Sequence, residues 1–97
     1  MTVAMRVYVP SDAPAHVRTT VEQQLTSKHG GATTYDARGS WSDDDRIVTD
    51  DMTVIESVAD ATQPATDLKR LARYVRDETN EDAVMWDIRP VETVGFE

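Results

Sequence analysis

The chain has no cysteine, and this absence removes several chemistries at once. Disulfide bonds, thiolate metal ligands and cysteine nucleophiles are all excluded. No apolar run approaches the roughly 18 residues that a membrane-spanning helix needs, and no charged-then-apolar leader opens the sequence. We therefore expect a cytoplasmic protein with no membrane partner.

Lysine is almost missing as well, because only Lys28 and Lys69 accompany eight arginines, against twelve Asp and six Glu. The net charge of −8 argues against general nucleic-acid binding, which requires Lys and Arg to neutralise phosphates. A strongly acidic surface stays hydrated in concentrated salt. We therefore predict a halophilic protein of a haloarchaeon, or of its virus acting in the host cytoplasm. An ordinary acidic protein from a high-GC genome is the alternative.

The first half of the chain predicts a strand, a helix and a second strand. Apolar residues alternate over Val3–Val9, and Pro10 ends this strand. The following helix has an apolar stripe at spacing four and ends at two glycines. Its stripe consists of Val17, Val21 and Leu25. Residues 32–41 are rich in Thr and aromatic residues, which favours a strand, with a bulge or bend at Gly39.

The second half predicts a strand, a helix and a last strand. Residues 47–59 form a third strand, in which the adjacent Val54 and Ile55 indicate a central position covered on both faces. Thr62 precedes a helix with Pro64 in its first turn and is expected to cap it. The apolar face of this helix follows the i, i+3, i+4, i+7 spacing. It consists of Leu68, Leu71, Ala72 and Val75.

The chain ends with alternating residues 84–88, which predict a fourth strand that stops at Pro90. Val94 and Phe96 are expected to add a short edge strand or to form a tail exchanged between subunits. The order strand, helix, strand, strand, helix, strand predicts one α+β domain over 1–97, a ferredoxin-like βαββαβ two-layer sandwich. Its antiparallel four-stranded sheet carries both helices on one face. Apolar residues on the other face then need a partner.

Several segments together resemble the small PII-like proteins, of the nitrogen-regulatory PII and CutA type. The likeness also extends to short uncharacterised proteins of bacterial and archaeal viruses. The segments are Met5–Pro10, Gly30–Trp41 (GGATTYDARGSW), Ile47–Val58, Leu71–Tyr74 and Asp82–Met85. They share a layout and a loose Gly-Gly-x-Thr…Gly-x-Trp pattern, which is not a catalytic signature.

The resemblance implies a homo-oligomer, with a trimer favoured, whose clefts between subunits bind small ligands, often adenine nucleotides. The loop Ser42–Arg46 is far shorter than a PII signalling loop, and the family's glycine- and lysine-rich nucleotide-binding segment has no counterpart here. We expect a non-enzymatic protein that binds a small anionic ligand, such as a nucleotide or host metabolite, or a partner protein. No cofactor is expected.

One face of the second helix carries Lys69, Arg73 and Arg76 at i, i+4 and i+7. Clustered guanidinium groups suit phosphate or carboxylate recognition, and we predict an anion site here that Arg38 joins. The alternative is that these groups pair with acidic residues of the same helix end or of a neighbouring subunit. The acidic residues concerned are Asp77, Glu78 and Glu81.

Three aromatic residues on predicted strands, Tyr35, Trp41 and Trp86, are expected at an oligomer interface. Stacking on a nucleobase is the alternative. The acidic run Asp43–Asp45, with Asp50 and Asp51 nearby, is interpreted as a solvated turn. A Mg²⁺ or Ca²⁺ site is the alternative there, although the alternating ligands and glycine of a calcium loop are missing.

No Ser-His-Asp order, phosphate loop or metalloprotease motif is present. His16 and His29 flank the first helix thirteen residues apart, so they do not form a metal pair on one helical face. Two alternatives to ligand binding stay open. One is a structural or interaction module, and the other is a small ferredoxin-like enzyme with His29, Glu56 or Asp36 as its base.

Overall fold

A computed structural model describes residues 1–97. Its elements are β1 Thr2–Pro10, α1 Ala15–His29, β2 Thr33–Asp43, β3 Arg46–Asp60, α2 Pro64–Thr79 and β4 Trp86–Pro90. The four strands form one sheet in the order β2-β3-β1-β4, and every neighbouring pair is antiparallel. The predicted ferredoxin-like α+β fold is confirmed. Neither helix combines the length and the apolarity that crossing a membrane requires.

The core lies between the helices and one face of the sheet. Along β1, alternate side chains point to this face because successive residues of a strand face opposite sides. They are Val3, Met5, Val7 and Val9. The predicted stripe of α1 and the apolar face of α2 cover them, and all of these helix residues are buried. Met5, Val7 and Val9 are fully buried, so β1 holds the centre of the core.

The opposite face of the sheet, here called the open face, carries no helix. The β1 residues that point to it are Ala4, Arg6 and Tyr8, and their partners on β3 are Val58, Glu56 and Val54. Val54 and Ile55 are both buried although they face opposite sides of β3. The prediction of a strand covered on both faces is therefore confirmed for these two residues.

Helix α1 ends at Gly30, whose φ of 93° lies in the left-handed region that favours glycine. Helix α2 begins differently from the prediction. Gln63, not Thr62, occupies the N-cap position, and no side chain caps the helix. Pro64 at the first position fits because its missing N–H would have no helical partner there.

The sheet departs from the sequence prediction at three points. Pairing runs without a break through Gly39, so no bulge forms. A Cβ at Gly39 would lie 2.6 Å from the terminal methyl of Met52, so this flexible side-chain end would have to shift. Pro90 pairs with Val3 and belongs to β4, which an edge strand tolerates. No fifth strand follows, and Val94 and Phe96 are exposed, so the tail exchange stays a prediction.

Strands β2 and β3 continue beyond the end of β1 as a two-stranded arm. The last β1 pair is Pro10 with Met52, and the hairpin then extends for six more pairs, from Arg38 with Asp51 to Asp43 with Arg46. Six pairs span about 20 Å at the usual rise per residue. We call Arg38–Asp51 the hairpin arm. An isolated two-stranded ribbon is marginal in water, so this part of the fold depends on neighbouring groups for its order.

Candidate functional site

A partly buried ion pair on the open face joins the central strand β1 to the edge strand β4. The Arg6 guanidinium donates to both oxygens of Asp87, from Nε to Oδ1 at 2.8 Å and from Nη2 to Oδ2 at 3.0 Å. The Tyr8 hydroxyl donates to Oδ2 of the same carboxylate at 3.1 Å. Glu56 lies 3.7 Å from Arg6 Nε, so its carboxylate is paired as well. Nothing in the sequence alone indicated the Arg6–Asp87 pair.

The hydrogen bonds that Arg6 donates to Asp87 are the main reason why the pKa of Arg6 lies above its ordinary high value. Arg6 therefore stays charged although its side chain is only 14% exposed. Burial raises the pKa of Tyr8, and the nearby negative charge of Asp87 raises it further. The open face thus contains a fixed, hydrogen-bonded charge pair and a neutral phenol.

The three predicted basic residues of α2 come together around one hollow of about 210 Å³, which we call the basic hollow. Its lining residues are Lys69, Ala72, Arg73, Arg76, Asp82, Ala83, Val84 and Trp86. Lys69 and Arg73 form no ion pair, and Arg76 lies 3.4 Å from its sequence neighbour Asp77. Neither Glu78 nor Glu81 pairs with this face, and Asp82 lines the hollow without an ion pair, so Lys69 and Arg73 are the two cationic groups left without an ion-pair partner.

Arg38 does not line the basic hollow. It lies on the helix-facing side of the sheet, where its Nε is 3.2 Å from Asp51 Oδ1. Together with Arg18 and Asp36 it lines a separate polar hollow at the base of the hairpin arm. The structure therefore brings three of the four predicted ligand residues together and leaves the fourth elsewhere.

A third hollow of about 560 Å³ lies where β1 ends, and we call it the acidic hollow. Its apolar wall consists of Tyr8, Pro10, Trp41, Met52, Ala83, Val84 and Met85. Its polar residues are Ser11, Asp12, Asp50, Asp51 and Glu81. Sequence reasoning missed this hollow because its residues come from four separate segments. Ala83 and Val84 line both this hollow and the basic one.

The three predicted interface aromatics do not share one surface. Tyr35 and Trp41 lie on the open face and are 40% and 46% exposed. Trp86 pairs with Val7 on the helix-covered face and packs against the core while lining the basic hollow. A place at a subunit interface stays a prediction for all three.

The predicted acidic turn forms the tip of the hairpin arm, where Asp43, Asp44 and Asp45 are exposed and Asp44 has a φ of 54°. No three His, Asp or Glu side chains of the chain are close enough to hold a metal ion. His16 is exposed, with its Nε2 3.5 Å from Glu78 Oε2.

A second buried carboxylate ties the helices together. Asp67 on α2 is 3% exposed and accepts a 2.6 Å hydrogen bond from Lys28 Nζ at the end of α1. His29 Nε2 is buried 3.5 Å from Asp67 Oδ2 and has no hydrogen-bond partner. The three bases considered for an enzyme, His29, Glu56 and Asp36, share no hollow.

Comparison with known proteins identifies the fold. No protein-family model matches the chain, and no curated protein is similar enough in sequence to match. Solved structures do match. A periplasmic divalent cation tolerance protein CutA from Archaeoglobus fulgidus is 9% identical with a TM-score of 0.70, over 97% of this chain and 87% of that one. The PII-like CutA of Nostoc sp. is 14% identical with a TM-score of 0.60, over 95% and 82%.

A phage SAM lyase in complex with S-methyl-5'-thioadenosine is 14% identical with a TM-score of 0.63, over 91% of this chain and 80% of that one. Together these structures define a class of small ferredoxin-like proteins. Within it, the chain has the fold of the PII-like CutA proteins, which confirms the resemblance drawn from the sequence. At these identities the likeness concerns the fold alone.

The raised pKa of Tyr8 leads to a prediction about alkaline stability. An unfolded tyrosine has a pKa of about 10. Above that pH the unfolded chain loses this proton before the folded protein does, so the free energy of unfolding falls until the folded pKa is passed. Tyr8→Phe should abolish this contribution to the fall of the free energy of unfolding with pH, whereas Tyr74→Phe should leave it unchanged. Denaturant unfolding at several pH values between about 9 and 12, a range that brackets the tyrosine pKa, measures the free energy of unfolding of both variants. Equal slopes for the two variants would contradict the assignment.

Proposed function

We propose that the chain is a non-enzymatic PII-like homo-oligomer, most readily a trimer, that binds a small anionic ligand such as a nucleotide or host metabolite. One observation carries the proposal. In a chain of net charge −8, Lys69, Arg73 and Arg76 line one hollow, and neither Lys69 nor Arg73 has an ion-pair partner.

Uncompensated like charges on one helix face destabilise the fold, and a bound anion would offset this cost. The ion pair of Arg76 with Asp77 is exposed on both sides, so it is weak and does not compete strongly with a ligand. Guanidinium groups bind phosphate or carboxylate through two parallel hydrogen bonds. These features support an anion at Lys69, Arg73 and Arg76.

Trp86 supports a ligand with a ring as well as an anionic group. It borders the basic hollow, is partly buried and offers an aromatic wall beside the cationic groups. Bases stack on such side chains without a sequence-specific pattern. The phage SAM lyase of this fold is described in complex with S-methyl-5'-thioadenosine, a nucleoside. A nucleoside phosphate is therefore the first ligand to test.

Self-association follows from the uncovered parts of the fold. The hairpin arm has no third strand, and Trp41 and Ile47 are exposed on its two opposite faces. Tyr35 and Val58 are exposed on the open face. A second subunit would remove these apolar groups from water and order the arm. Arg38 at the base of the arm would then join a ligand only across a subunit boundary.

An interaction module without a ligand is the alternative, in which the open face and the arm bind a partner protein. The structurally similar CutA protein is named for divalent cation tolerance, which suggests a metal ion as another ligand to consider. In this chain, however, no cluster of three acidic or histidine side chains favours a metal.

Arg73→Ala/Arg76→Ala tests the anion site. We expect ATP or AMP binding to weaken at least about tenfold, since a hydrogen bond to a charged group contributes about 1.5–3 kcal/mol. Arg18→Ala/Arg89→Ala is the matched control, because it changes the net charge equally but touches no residue of the basic hollow. Titration calorimetry measures both. If the two double variants lose the same amount of nucleotide affinity, only the net charge matters. If the wild type binds neither ATP nor AMP, the interaction module is favoured.

Ile47→Ser tests self-association through the hairpin arm. Ile47 is 79% exposed at the arm, and we expect its loss to shift the oligomer toward monomers. Met85→Ser is the control, because Met85 is an exposed apolar residue outside both the arm and the C-terminal tail. Light scattering coupled to size exclusion gives the mass directly. A monomeric wild type would contradict the proposal.

The acidic surface supports our proposal of a high-salt origin, which has its own test. At low ionic strength the eighteen acidic groups repel one another, and salt screens this repulsion within about 3 Å at 1 M. We expect the midpoint of thermal unfolding to keep rising from dilute buffer into molar KCl. A midpoint that stops rising near 0.15 M, roughly physiological ionic strength, would identify an ordinary acidic protein.

A further inference from the structure

The acidic hollow has a composition that sets it apart from the rest of the surface. Seven of its twelve lining residues form the apolar wall, and they include the rings of Tyr8 and Trp41 and the thioethers of Met52 and Met85. At about 560 Å³ it lies within the size range of small-molecule sites.

The aromatic and thioether wall follows from the register of the hairpin arm. Met52 pairs with Ala37, and its terminal methyl lies over Gly39, where a Cβ would approach it to 2.6 Å. The glycine therefore lets the thioether lie flat along the sheet. Trp41 lies two residues further along the same face, so both side chains border one concave surface.

All the charged side chains that line the acidic hollow are negative. Asp12, Asp50, Asp51 and Glu81 line it, and none of the twelve lining residues is Lys, Arg or His. Only Asp51 has an ion-pair partner, Arg38, and both side chains of that pair are largely exposed and screened. A cation entering this hollow therefore gains attraction from several unpaired carboxylates.

An inorganic cation does not fit this arrangement. Ca²⁺ requires six to eight oxygen ligands and Mg²⁺ a near-octahedral set, whereas no three acidic side chains here are close enough to share an ion. The aromatic and aliphatic wall also supplies no oxygen ligands. A methylated ammonium or sulfonium ion needs no such ligands, because its diffuse charge is held by aromatic faces and by carboxylates at a distance.

We propose that the acidic hollow binds an organic cation with a methylated ammonium or sulfonium head. The head lies against Trp41, Met52 packs beside its methyl groups, and Asp50 and Glu81 supply the opposite charge. This site is separate from the anion site and has the opposite charge preference, although Ala83 and Val84 form part of the wall of both.

Choline and its neutral isostere 3,3-dimethylbutan-1-ol test the proposal, with equilibrium dialysis of each against the full-length protein in its assembled state. Wild type should retain choline at least about fivefold better than the alcohol, a ratio expected for a cation–π site with nearby carboxylates. Trp41→Leu, which keeps an apolar wall but removes the ring, should reduce this preference severalfold.

Asp50→Asn provides a second variant that leaves the apolar groups of the arm intact, in case Trp41→Leu disturbs assembly. It should also weaken choline binding, whereas Asp43→Asn, an acidic residue of the same arm outside the hollow, should not. Arg73→Ala/Arg76→Ala should leave choline binding unchanged, which separates this site from the anion site. Equal retention of choline and the alcohol, equal effects of the two Asp variants, or no choline binding would each overturn the proposal.

Discussion

The ion pair between Arg6 and Asp87 fixes the geometry on which the rest of the open face depends. Arg6 is held at the centre of the sheet with little contact with water, and Asp87 satisfies it through two hydrogen bonds. Removing either partner costs these two hydrogen bonds to a partly buried charge, which is destabilising even though Glu56 remains 3.7 Å from Arg6 Nε. The pair also joins β1 to β4, the shortest strand of the sheet. It therefore positions the chain segment before β4, which forms a wall of both the basic and the acidic hollow.

That shared wall links two sites of opposite charge. Ala83 and Val84 separate the arginines of α2 from the carboxylates around Trp41. A ligand that shifts this segment from one side changes the shape of the hollow on the other side. Any such coupling is reciprocal, because each ligand must alter the affinity of the other by the same factor. An anion and an organic cation bound on the two sides would also attract each other across a thin apolar wall.

Sequence periodicity was sufficient for the elements but not for the contacts between them. Val3–Val9 and Leu68–Val75 repeat with the periods of a strand and a helix, so their buried faces could be predicted. Arg6 and Asp87 are 81 residues apart, and their pairing depends on a strand register that no local pattern encodes. The acidic hollow was missed for the same reason, because its residues come from separate segments that only the strand register brings together. Thr62 failed as a cap because Pro64, with its fixed φ, begins the helix one residue later than the cap signal suggests.

The hairpin arm connects assembly, salt and ligand binding through one set of residues. It carries Asp43, Asp44, Asp45, Asp50 and Asp51, so arms brought together in an oligomer repel one another until salt screens them. It also supplies Trp41 and Asp50 to the acidic hollow, which can hold a cation tightly only when the arm is ordered. A cation bound there would lower the negative charge of the arm as well. If the chain assembles and binds a cation as proposed, concentrated salt and an organic cation act in the same direction, because both favour an ordered arm packed against a second subunit.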